Sequence, residues 1–286
     1  MIHILFTAGS FGSTIEYIVR RFSKEFELED ANILPDGSMH TFQKAYHAQS
    51  SYDIQQLKSQ QSSVSSILYP NKDLLSADVI SLVKSNIEAT HKVVFISCPT
   101  IQDYTLVTLC TFAKTNVGND IVKYLNGNAH RWNSNYCSVD DMKRWEKREL
   151  MSLTLFDIMN QIINCADQVL PNWFTLSPSD IVADIYGASI KILNYLDFTI
   201  VDHEQLQKFT QQWIIAQQSY INQSELINLI TNKIINKEQF VWRQLLFIEE
   251  VLLQCQLLYF GYNIHCNDLD EFPTDAVTFN KLISPA

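Results

Sequence analysis

Glycine is scarce in this chain, and two of its few glycines fall in one loop near the amino end. The 286 residues include 7 glycines, where average usage would give about 20. Gly9 and Gly12 lie between a run that reads as a strand, His3 to Thr7, and a run that reads as a helix, Thr14 to Phe26. Ile15, Ile18, Val19 and Phe22 recur in the second run at the helical period. A glycine-bearing loop between strand and helix presents backbone N–H groups along a concave surface. The helix N-terminus adds partial positive charge, so such a junction suits a phosphate or sulfate group. Ser10, Ser13 and Thr14 add hydroxyl donors, and the glycines let backbone approach a ligand closely. The plainer alternative is a strand-to-helix turn capped by a serine. ATP hydrolysis of the usual P-loop kind is not expected, because Ser13 stands where the lysine belongs and Thr7 where the first glycine belongs.

Further along, Asp36-Gly37 marks a turn, and Met39 to Tyr46 reads as a second strand or a short irregular piece. Ser50 to Ser66, rich in Gln and Ser, reads as a polar helix or loop. Asp73 to Ala89 carries an apolar helical face. Lys92 to Ser97, stopped by Pro99, is the strongest strand in the chain. A short run apolar on both faces suits a parallel sheet covered on both sides. Gln102 to Ala113 reads as helix, and the Asn-rich stretch Gly118 to Asn135 as a loop. Ser138-x-x-Asp141 opens a long helix reaching about Cys165 in the manner of a capping box. A short strand within Gln168 to Leu176 and a helix over Pro178 to Tyr195 follow, and Glu204 to Tyr262 reads as nearly all helix. The expected fold class is therefore α/β. It is a mainly parallel sheet flanked by helices, forming one domain over residues 1–286 with a helical C-terminal region at about 204–262.

Composition narrows the function. Apolar residues are 47%, charged residues 18%, and the formal charge is −10. An acidic chain repels nucleic acid and anionic membranes at long range, so neither is an expected partner. Phe240 to Phe260 is apolar but broken by Arg243, Glu249 and Glu250, and reads as a buried helix rather than a membrane span. The opening residues are too short an apolar run for a secretory signal. The six cysteines show no paired spacing, so free buried thiols and a cytoplasmic location are expected, with no metal site.

Three segments in order resemble the sulfotransferase superfamily, whose members have a P-loop-like α/β fold and use 3′-phosphoadenosine 5′-phosphosulfate. The family's first loop reads roughly Pro-Lys-Ser-Gly-Thr-Thr. Here Ser10-Phe11-Gly12-Ser13-Thr14 takes its last five places, with Ser10 in place of the lysine. The family's second motif is a strand ending in Arg-x-Pro, followed by an acidic residue and a hydroxyl-bearing helix. Val93 to Pro99 fits it, with Ser97 in place of the arginine, Asp103 as the acid and Thr105 or Thr108 as the hydroxyl. The third, Asp-Leu-x-x-Asp-Pro then Phe-Leu-Gly, is matched by Asp180 to Ile185 and Tyr195-Leu196, and is scaffold. The resemblance implies that Gly9 to Thr14 cradles the 5′-phosphosulfate and that Ser97, Asp103 and Thr105 lie near the 3′-phosphate. It also implies a nucleotide donor and a small-molecule or glycan hydroxyl acceptor as partners. Two family cations are missing, and losing one such contact typically costs about 2.7–4 kcal/mol of transition-state stabilisation.

Other residues offer replacements. His40 and His47 flank Lys44 at the end of the expected second strand, where ligands collect in parallel sheets. Either histidine there reads as the base that takes a proton from the acceptor, or as a surface histidine bonded to backbone. Arg20, Lys44, Arg131, Arg144 and Arg148 are the basic residues available to replace the lost charges. Arg144 to Glu149 reads either as a solvated helix face or as a helix turning Arg144 or Arg148 toward an anionic ligand, with Glu146 or Glu149 as base. His130-Arg131-Trp132 reads as a closing loop or a connector. The expected function is sulfuryl transfer from the nucleotide donor to a hydroxyl. The alternatives are a non-catalytic binding or assembly protein retaining the fold, and a transferase acting on another phosphorylated ligand.

Overall fold

A computed structural model describes residues 1–7, 10–26, 46–48, 50–57, 64–69, 76–113, 142–264, 269 and 271–285. The elements run β1 (Ile2–Phe6), α1 (Gly12–Phe22), β2 (Tyr46–Ala48), α2 (Ser51–Gln55), β3 (Val64–Leu68), α3 (Ser76–Asn86), β4 (Lys92–Ile96) and α4 (Ile101–Ala113). They continue α5 (Arg144–Ile163), β5 (Phe174–Leu176), α6 (Pro178–Ala183), α7 (Ile185–Tyr195), α8 (His203–Ile235), α9 (Phe247–Tyr259), β6 (Tyr262–Ile264), α10 (Ala276–Phe279) and β7 (Ile283–Pro285). The chain forms two compact units, Met1–Lys114 with Gln161–Ser219, and Thr115–Asn160 with Tyr220–Ala286.

The first unit is an α/β layer built on a five-stranded sheet in the order β2-β3-β1-β4-β5. Every neighbouring pair is parallel. The apolar runs of β1 and β4 are buried as sheet interiors covered on both sides should be, with Ile4, Leu5, Val94 and Phe95 closed to solvent. Helix α1 lies against β1, β3 and α7, and α4 against α6. Strand β3 departs from the sequence reading, which makes Ser50 to Ser66 polar helix or loop. Its serines are tolerated in the core because each has a buried partner. Ser65 Oγ meets His3 Nδ1 at 2.6 Å, and Ser66 Oγ donates to Glu16 Oε2 at 2.5 Å.

The expected single helix over Pro178 to Tyr195 is two. Asp184 leaves helical geometry with φ −155 and ψ 75, and its carboxylate accepts the Gly187 N–H at 2.8 Å to start α7. Gly187 permits this closeness, since a Cβ there would stand 2.1 Å from Asp184 Oδ2. Ser177 and Asp180 form a reciprocal capping box at the head of α6, with Pro178 in its first turn. The two aspartates of the third motif are thus caps of successive short helices, which is the physical content of calling that segment scaffold.

In the second unit the expected continuous helix is interrupted after Ile235. Lys237 takes a left-handed φ of 57, and helix resumes only at Phe247. Phe240 and Trp242 therefore lie off the helix, stacked on each other at 3.8 Å and edge-on to Phe279. Gly261, at φ 79, follows the end of α9 as expected of a helix-terminating glycine. Strands β6 and β7 pair antiparallel. Cys98, Cys110, Cys165 and Cys255 are free and buried, whereas Cys137 and Cys266 lie outside the described residues. Among the described residues no helix is long and apolar enough to cross a membrane.

Candidate anion-binding junction

In an open parallel sheet, ligands bind outside the carboxyl ends of the strands where the chain changes direction across the sheet. Here β1 sends the chain toward β2 and β3, and β4 then returns on its other side. The loops after β1 and β4 therefore meet the rule, and they carry the first two sequence motifs.

The β1–α1 junction is held largely from within. Ser10 is fully buried, and both its N–H and its hydroxyl donate to Thr7 O, at 3.1 and 2.7 Å. Phe11 adopts a left-handed φ of 66, unusual for a bulky side chain, at the N-cap of α1. Its buried ring meets Trp213 edge-on at 5.0 Å. The Trp213 indole N–H donates to Thr14 Oγ1 at 3.2 Å. Gly12 is needed for an internal reason, because a Cβ there would lie 2.1 Å from the Phe6 ring. Ser13 is half-buried. The backbone N–H groups of Phe11, Gly12 and Ser13 meet no acceptor among the described residues, as is general for the first turn of a helix.

The β4 loop is also closed by its own hydrogen bonds. Ser97 is buried and donates its N–H to Leu176 O at 2.9 Å, extending the ladder to β5. Asp103, buried in the first turn of α4, forms a capping pair with Thr100, whose hydroxyl donates to Asp103 Oδ2 at 2.6 Å and accepts the Asp103 N–H at 3.1 Å. The other Asp103 oxygen accepts the N–H and hydroxyl of Ser179, at 3.0 and 2.5 Å, and ties α4 to α6. Thr105 is fully buried and donates to Ile101 O on its own helix. Tyr69 donates its phenol to Ile96 O at 2.6 Å; burial, with Cys98, Cys165 and Asp103 adding to it, pushes that phenol well above its ordinary value.

The remaining expected site residues divide. Gly9, His40 and Lys44 lie outside the described residues, as does Arg131. His47 falls in β2, opposite Ser66 of β3. The expectation that a second strand ends beside the first loop is corrected by the sheet order. Strand β3 occupies that place and β2 lies one strand further, about 10 Å from β1 at the usual strand spacing. Arg20 is buried and pairs through Nε with Glu16 at 3.1 Å. In the second unit Arg148 is buried and Arg144 is exposed, and both pair with the buried Glu250, at 3.2 and 2.9 Å. Glu146 accepts the Lys143 N–H as a helix cap. Among the described residues no cluster of His, Cys, Asp or Glu is arranged to hold a metal ion.

Trp213 is the contributor that sequence reasoning missed. It stands 199 residues from the threonine it bonds, inside a helix with no motif of its own, so no local signal marks it. No family model, curated protein or solved structure matches this chain.

Proposed function

We propose that this chain is a non-catalytic binding or assembly protein built on a sulfotransferase-like frame. One observation carries the reading. At the two places where the resemblance expects a ligand-facing cation, the chain has buried serines: Ser10, whose hydroxyl donates to Thr7 O, and Ser97, whose backbone N–H donates to Leu176 O in the sheet ladder. Neither serine carries the charge that a phosphosulfate needs, and the Ser10 hydroxyl is already held by Thr7 O. Sulfuryl transfer depends on charge placed where the transition state develops it. Three of the cations offered as replacements, Arg20, Arg144 and Arg148, are engaged by Glu16 and Glu250. The test is calorimetric titration of the full chain with 3′,5′-adenosine bisphosphate. The expected result is no saturable heat at millimolar nucleotide; saturable binding overturns the reading.

A second reading, sulfuryl transfer from 3′-phosphoadenosine 5′-phosphosulfate to a hydroxyl, draws on the N–H groups of Phe11, Gly12 and Ser13 that head α1 without acceptors among the described residues. In that scheme Gly9 to Thr14 holds the phosphosulfate, and His40 or His47, with Lys44, serves the acceptor. Labelled sulfate transferred from the donor to a hydroxyl acceptor, and lost in a Lys44→Ala variant, would decide for it.

A further inference from the structure

The amino edge of the same sheet holds a chain of polar groups that the carboxyl-edge site does not use. His3, the second residue of β1, is fully buried. Its Nδ1 meets Ser65 Oγ of β3 at 2.6 Å, and its Nε2 meets Nδ1 of His91 at 3.0 Å. His91 directly precedes β4, and its Nε2 lies 3.7 Å from Glu88 Oε2. The two rings are 5.1 Å apart and tilted by 45°. This chain links β1, β3 and the turn between α3 and β4.

The hydrogen count limits the charge it can hold. With both rings neutral every proton has a place: Ser65 donates to His3 Nδ1, His3 Nε2–H donates to His91 Nδ1, and His91 Nε2–H faces Glu88. One added proton places a charge on the buried His3 ring or, by a tautomer shift, on the half-buried His91 ring beside Glu88. A second sets N–H against N–H between the rings, and the contact cannot survive it. We propose that Ser65, His3 and His91 form an acid-sensitive latch that clasps the amino edge of the sheet while both rings are neutral and opens as they take up protons.

Among the described residues two charged groups act on the pair: the α-amino group of Met1, which immediately precedes β1, and Glu88 on the turn. Lys92, which opens β4, turns its Nζ away to Asp197 and Tyr195 O. Burial, then the charges of His91 and the Met1 amine, hold the His3 ring down at about 3. Burial and the amine lower His91 also, against the opposing pull of Glu88. Both folded values lie below the ordinary 6.5 for histidine. The unfolded chain therefore binds the extra protons as pH falls, and stability present above that value is lost below it.

The test is urea unfolding of the full chain between about pH 7.5 and 5.5, beside His3→Gln. From His3 alone the folded-to-unfolded ratio of the wild type should fall about tenfold more than that of the variant, and freeing His91 adds to the difference in the same direction. Histidines elsewhere are common to both proteins and drop out of the difference. Equal slopes overturn the latch. Should His3→Gln fail to fold, imidazole ¹⁵N spectra of the wild type decide. A His3 ring still neutral in the folded protein at about pH 5.5 supports the proposal, and a ring titrating near 6.5 overturns it.

Discussion

The two edges of the parallel sheet use their polar groups in different ways. At the carboxyl edge, where the fold rule looks for a ligand, Ser10, Thr100 and Thr105 close on nearby backbone or on Asp103, and the long-range bonds of Asp103 to Ser179 and of Thr14 to Trp213 fasten helix to helix. At the amino edge, His3 reaches partners 62 and 88 residues away through both of its ring nitrogens, whose protonation is held down by burial. A position on the sheet thus predicts where a site is permitted. It does not decide whether the side chains there face a ligand or the core.

Placing a charge where the resemblance expects one is the most severe way to break this contrast. Ser10→Lys puts an ammonium into a fully buried place where the present hydroxyl donates to Thr7 O. An unpaired buried charge costs about 3–5 kcal/mol, and the variant should unfold at lower denaturant without gaining affinity for 3′,5′-adenosine bisphosphate. A stable Ser10→Lys protein that binds the nucleotide would show that the loop faces outward. Gly12→Ala ranks next. Its Cβ would meet three atoms of the Phe6 ring at 2.1 to 2.4 Å, and the expected loss is about 3 kcal/mol in chemical unfolding. A loss under about 0.5 kcal/mol would mean that the ring moves aside and that Gly12 serves something other than packing.

Asp103→Ala sharpens the comparison further. It removes the capping partner of Thr100 and leaves the Ser179 N–H without its acceptor. The expected loss is about 2 kcal/mol, with rapid amide exchange confined to the heads of α4 and α6. A loss of nucleotide affinity with unchanged stability would instead make Asp103 a ligand-binding group.

How much of this was legible depended on how far each signal travels along the chain. Strand β4 was readable because Val93, Val94, Phe95 and Ile96 are apolar on both faces, which is a local pattern. The caps at Asp180 and Asp184 were visible as a spaced pair, although the break between their helices was not. Strand β3 was misread because Ser65 and Ser66 look solvent-facing. Their burial is permitted by His3 and Glu16, 62 and 50 residues away. The inward turn of Arg148 was one of two readings of its helix, but its partner was hidden, since Glu250 lies 102 residues on. At the first loop the residue types were legible and their direction was not. Ser10 in a glycine loop reads the same whether its hydroxyl meets a phosphate or Thr7 O.

The smallest effect separates the latch from ordinary packing. Ser65→Ala removes the hydroxyl that meets His3 Nδ1 and leaves the contact between the rings in place. A net hydrogen bond of this neutral kind is worth about 1 kcal/mol. The hydroxyl can donate to the neutral ring or accept from the protonated one, so its loss weakens both forms. Ser65→Ala should therefore lower stability by about 1 kcal/mol at every pH while keeping the wild-type slope between about pH 7.5 and 5.5. The measurement is urea unfolding at matched pH values. A variant that loses the slope would make Ser65 the group that sets the His3 protonation state. A variant that keeps it leaves burial and the His3–His91 contact as the source of acid sensitivity, and confines that sensitivity to one edge of the sheet.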